Sequence, residues 1–138
     1  MAVYAQDDDL VKYVPDIFDH GVESFDEELA RSSADIERRV KAEWWNINHD
    51  PNRFDADKLK ASEWARATIY HSLAYYIMPR LSTFAQEDTF QRQMTYYKDR
   101  YQEEFSAVLA AGVSYDMDGD GDYTDSEVDY VSTERLYR

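Results

Sequence analysis

Phe90, Met94, Tyr97, Tyr101, Phe105 and Val108 follow one another at spacings of 4, 3, 4, 4 and 3 residues. A helix of 3.6 residues per turn lines such a series up on one face, so this segment is expected to be one long helix with a single buried stripe, ended by Gly112. A second stripe, Phe25, Leu29, Ile36, Val40 and Trp44, steps by one turn or by two, and Glu28, Arg31, Asp35, Arg39 and Glu43 fall between its members as a solvated face. In a third segment Leu59, Trp64, Ile69, Tyr70, Leu73, Tyr76, Ile77 and Leu81 cover more than one face, which predicts a helix sandwiched between the other two. The expected fold class is all-α: a small bundle of three longer helices plus short N-terminal ones.

Punctuation residues place the boundaries. Asp7, Asp8 and Asp9 suit the start of a short helix that Pro15 ends, and Gly21 closes a further turn. Ser24 to Glu27 has the spacing of a capping box for the second helix, Asp55 can cap the third, Pro79 should end or kink it, and Ser82 to Gln86 offers a cap for the fourth. No repeat or low-complexity linker interrupts the series, so residues 1–111 are expected to form one helical domain and 112–138 an acidic loop segment and tail.

Composition narrows the function. No stretch approaches 18 uninterrupted apolar residues and the N-terminus lacks the basic and apolar regions of a signal peptide, so neither a membrane span nor Sec export is expected. Zero cysteines exclude disulfides, zinc–thiolate centres and thiol nucleophiles. Twenty-nine acids against fifteen bases give a net charge of −14, which disfavours gripping a phosphate backbone, because such binding is driven by cationic counterion release. Residues 112–138 hold eight acids and two arginines, net −6, so the other 111 residues carry −8.

Residues 116–127 read Asp-Met-Asp-Gly-Asp-Gly-Asp-Tyr-Thr-Asp-Ser-Glu, which satisfies every required position of the calcium-loop pattern D-x-[DN]-x-[DN]-G-x5-E. Calcium requires about six to eight oxygens, and alternate carboxylates on a tight loop deliver them to one point. Asp116, Asp118 and Asp120 are expected to ligate through side chains, Asp122 through its carbonyl, Thr124 directly or through water, and Glu127 bidentately, with Gly121 at the sharp turn. Six acids without a base in twelve residues repel one another unless a cation neutralises them. Gly112 interrupts the entering helix four residues before Asp116, and this is one loop rather than a pair, so a clip is favoured over a sensor. Val128, Tyr130, Leu136 and Tyr137 fit an extended or short helical tail pinned to the body or to a neighbour.

Other residues read as structural. His20, His49 and His71 show no metal-ligand spacing and are expected to be loop or partly buried side chains. Asp19, Glu23 and Glu27 are not expected to form an acid/base pair, and no phosphate loop, nucleophile elbow or dinucleotide fingerprint is present, so no enzyme is expected. Of the pairs Trp44-Trp45, Tyr75-Tyr76 and Tyr96-Tyr97, one member each is expected in the core and the other on the surface or at an interface.

The opening Tyr4-Ala5-Gln6-Asp7-Asp8-Asp9-Leu10-Val11-Lys12-Tyr13-Val14-Pro15-Asp16-Ile17, the helix segment Ser33 to Arg38 ending in Glu43-Trp44-Trp45, and the late run from Ala110 to Gly121 resemble the head-to-tail adaptor, or neck connector, proteins of tailed bacteriophages. The resemblance spans most of the chain. It implies a structural subunit of the virion neck, made in the host cytoplasm, that forms a ring of commonly twelve copies below the portal protein. Such a ring extends the DNA channel, contacts a downstream neck or tail protein, and lets DNA pass without specific binding. The acidic balance suits that passage, since carboxylates repel phosphates, and Ca2+ at the loop would clamp rather than signal. The alternatives are a calcium-binding regulatory or buffering protein, and an acidic mimic of DNA.

Overall fold

The structure, a computed structural model, describes residues 3–81, 89–116 and 128–129. It is all-α, apart from one very short strand pair. Helix α1 spans Asp7–Tyr13 and a 3-10 turn follows at Ile17–His20. The long helices are α2 (residues 26–48), α3 (61–81) and α4 (Thr89–Ala111); strands β1 (Val113–Ser114) and β2 (Val128–Asp129) follow. Helix α3 packs against both α2 and α4, the central position that its broad apolar surface predicted.

The stripe members with described side chains form the core or its margin, and the Phe90 side chain lies outside the described ones. Phe25, Leu29, Ile36 and Val40 from α2 are fully buried, as are Trp64, Leu73 and Ile77 from α3 and Phe105 from α4. Tyr97 and Tyr101 are buried beside Phe105, and Met94 and Val108 pack at the margin. Each aromatic side chain removes roughly 150–250 Å² from water, so this core dominates the stability of the domain. Gly112 adopts φ +102°, the left-handed conformation that stops a helix at little cost only in glycine, and Gly21 does the same at φ +83° after the 3-10 turn.

Sequence and structure part at several helix ends. Asp55 caps a 3-10 turn, Ala56–Lys58, by accepting from the Asp57 amide at 3.0 Å, and α3 begins only at Ala61. The start of α2 lacks the reciprocal Ser24–Glu27 box. Instead, the Asp7 carboxylate accepts from the Phe25 amide at 2.8 Å and the Ser24 hydroxyl at 2.7 Å, while Glu27 pairs with Arg31. Ser24 Oγ also accepts from the Asp26 amide at 3.2 Å, so the cap joins a local contact to a tie between α1 and α2. The Ser82–Gln86 signal lies outside the described residues.

Both α2 and α3 contain a five-residue π-turn, at Lys41–Trp45 and Leu73–Ile77. Their i to i−5 bonds run from the Asn46 amide to the Lys41 carbonyl and from the Met78 amide to the Leu73 carbonyl. The second precedes Pro79, whose missing N–H and bulky ring disfavour ordinary α-helical bonding to the previous turn. So Pro79 neither ends the helix nor stands in a regular one: the wider turn accommodates it and α3 continues to Leu81.

Candidate functional site

Trp44 and Trp45 are both buried, contrary to the expectation that one would face outward. Trp45 is covered because the chain after α2 folds back over it. Its indole N–H donates to the Asp50 carbonyl at 2.7 Å, His49 stacks on it at 4.0 Å, and Phe54 and Tyr115 pack around it. Tyr115 also meets Trp44 at 5.8 Å, so one residue near the C-terminus closes the aromatic cluster. The other pairs divide more nearly as expected. Tyr96 is 56% exposed above buried Tyr97; Tyr75 is 40% exposed, and Tyr76 is half-buried with its hydroxyl on the Asp35 carboxylate.

The entrance to the calcium-loop pattern is built on this cluster. Val113 to Asp116 are all buried. The Ser114 amide and hydroxyl both donate to the Glu63 carboxylate, at 2.9 and 3.0 Å. The Ser114 carbonyl accepts from the Lys60 amide at 3.3 Å, the Asp116 amide donates to the Lys58 carbonyl at 2.9 Å, and the Tyr115 hydroxyl accepts from the Asp55 amide at 3.1 Å. Burial raises the Tyr115 phenol pKa and keeps it neutral. On the other edge β1 pairs antiparallel with β2, Val113 with Asp129 and Ser114 with Val128. The residues before Asp116 and after Glu127 are therefore held together. Sequence periodicity gave no sign of this ladder, because two-residue strands are too short to show alternation.

Of the expected ligands, Asp116 stands buried at the mouth of the loop, with 8% of its surface exposed. Asp118, Asp120, Asp122, Thr124 and Glu127 lie outside the described residues, as do Gly121, Tyr130, Leu136 and Tyr137. Among the described residues no three His, Asp or Glu side chains converge as metal ligands. Beside the mouth lies a cleft of about 440 Å³ lined by Trp45, His49, Asp50, Arg53, Lys58 and Tyr115.

A second polar constellation was not expected from the sequence. Ser32, Ser72 and His71 meet inside the bundle: the Ser72 hydroxyl donates to Ser32 Oγ, and Ser32 Oγ lies 2.9 Å from His71 Nδ1. Passing these donors along places the imidazole proton on Nε2, which faces Asp35 Oδ2 at 3.9 Å. Arg39 closes the layer over the rings of Tyr101 and Phe105, at 5.3 and 3.9 Å. Burial lowers the His71 pKa to about 4, against the opposing pull of Asp35, and Arg39 pushes it further down. Serine, histidine and aspartate are the residue types of a nucleophilic triad, but here the arrangement is closed. Ser32 and Ser72 have no exposed surface, and the carboxylate is beyond hydrogen-bond distance of the ring. The cluster is a polar layer that fixes how α2 and α3 meet. The only sequence signal for it was two small polar residues, Ser32 and Ser72, at core-facing positions.

The remaining candidates separate. His49 and His71 sit in different aromatic clusters, and the His20 side chain lies outside the described ones. Asp19 and Glu23 are exposed, and Glu27 is exposed in its ion pair with Arg31. Among the described residues no helix is long and apolar enough to cross a membrane. No protein-family profile, curated protein or solved structure matches this chain.

Proposed function

We propose that this chain is a structural subunit, a head-to-tail adaptor of a tailed bacteriophage, in which Ca2+ held by Asp116, Asp118, Asp120, Asp122, Thr124 and Glu127 clips the C-terminal segment to the helical body. The observation that carries the clip is the ladder between Val113–Ser114 and Val128–Asp129, which brackets the twelve-residue pattern. Joining a loop's ends before the ion arrives removes much of the chain entropy that binding would otherwise have to overcome. The adaptor reading draws on the resemblance of the N-terminal, α2 and C-terminal segments, and an all-α body with an acidic surplus is compatible with it. Partners on this reading are further copies in a ring, a portal protein above and a neck or tail protein below, in the virion neck. DNA passes through without specific binding.

Electron microscopy of the purified chain with and without a portal ring tests the adaptor. Closed rings, or rings seated on portal, are expected; a chain that stays monomeric and ignores portal would overturn it. Calorimetric titration of calcium into chelator-treated protein tests the clip, with one site per chain expected. The alternative, a calcium-binding regulatory protein, is favoured by the contact of Tyr115 with Trp44 and Trp45, which connects the loop mouth to α2. It predicts that amide shifts on calcium binding spread through the helices instead of staying beyond Gly112.

A further inference from the structure

The charge of this molecule is unevenly distributed in a way that its helices expose. Residues 1–30 carry nine acids and one lysine, net −8, and Asp16, Asp19, Glu23, Asp26 and Glu27 among them are exposed. Asp16, Asp19 and Glu23 join no ion pair among the described residues. Residues 89–111, in contrast, hold three acids and three bases. On the outer face of α4, Arg92, Tyr96 and Arg100 are exposed and spaced one turn apart. Tyr96 is the most exposed large hydrophobic side chain among the described residues. It is held edge-on to Tyr97 at 5.1 Å, and Tyr97 stacks on Tyr70 at 6.0 Å, so the ridge rests on a rigid aromatic base. Arg100 reaches over the Tyr70 ring at 5.8 Å and pairs with Glu103 at 3.3 Å.

Tyrosine and arginine are the side chains that most often dominate interfaces, because they contribute large contact area together with directed hydrogen bonds. Two copies of a −14 chain repel unless a cationic surface of one meets an acidic surface of the other. We propose that the Arg92–Tyr96–Arg100 ridge docks the acidic segment Asp16–Glu27 of a second copy. The proposal rests on the self-assembly reading and names its contact. Ridge and acidic segment are different surfaces, so each copy uses one half on either side, and such a heterologous contact propagates, closing into a ring when the rotation between copies permits.

Analytical ultracentrifugation of the full chain tests it. Wild-type assemblies are expected to weaken as salt rises. Arg92→Glu/Arg100→Glu and Asp19→Lys/Glu23→Lys are each expected to sediment as monomers with unchanged helical circular dichroism, and a mixture of the two is expected to assemble again, since each supplies the charge the other has lost. Tyr96→Ala should weaken association by about tenfold or more. If wild type assembles and the arginine variant assembles equally well, this contact is wrong while self-assembly stands. If wild type is monomeric throughout, this contact is overturned, and the adaptor reading is decided by whether portal seats a ring. Should a charge variant misfold, hydroxyl-radical footprinting of wild type decides: protection of Tyr96 on assembly supports the contact, and unchanged labelling overturns it.

Discussion

The His71 layer and the Ser114 seam are both polar structures inside a largely apolar molecule, yet they are built in opposite ways. In the layer a titratable ring is surrounded by side chains from α2, α3 and α4, with no exposed serine. Its uncharged form is enforced by burial. The seam is mostly backbone, anchored besides by the Tyr115 hydroxyl on the Asp55 amide and by Glu63, a partly exposed carboxylate accepting two hydrogen bonds from one residue. The first joins three long helices; the second ties residues 114–116 to the segment from Asp55 to Glu63.

Acid should break the layer first. His71 titrates near its ordinary 6.5 when unfolded and near 4 when folded, so the unfolded state binds more protons between those values. The stabilisation is fully present above pH 6.5 and is lost as pH falls toward 4, amounting to up to about 3 kcal/mol. Urea unfolding at pH 7 and pH 4.5 should show the loss, and His71→Gln should remove much of that dependence.

Glu63→Ala should act on the seam alone. Loss of two hydrogen bonds to a carboxylate is expected to cost about 2 kcal/mol. Amide exchange should accelerate at Ser114 and Asp116 while the centre of α3 stays protected; uniform acceleration would mean that seam and bundle open together.

The smallest effect has the opposite sign. Thr68 Oγ1 and the Trp64 indole N–H are buried without a hydrogen-bond partner among the described residues. Thr68→Val removes one such group at nearly constant shape, and thermal unfolding should show a gain of about 1 kcal/mol.

The long helices were legible because their stripes repeat over many turns, and a repeated 3.6-residue signal survives local exceptions. What escaped depends on distant partners. Asp7 caps α2 from another helix, and no local motif reports that. Both tryptophans are buried because Tyr115, seventy residues further on, covers the second. His71 looked like an isolated histidine until α2 supplied Ser32 and Asp35. The calcium pattern was legible as spacing alone, whereas the strands that bracket it are too short to leave a periodic trace.

The π-turns give α2 and α3 an unusual relation to their own length. Each turn carries one residue more than a regular α-helical path across the same distance requires. Deleting one residue within 41–45 would therefore restore a regular helix across the same distance, with the later positions keeping their facing. The change would be felt inside the turn itself, where Trp44 and Trp45 both meet Tyr115. The extra residue of α2 is thus absorbed at the place where Tyr115 docks on that helix.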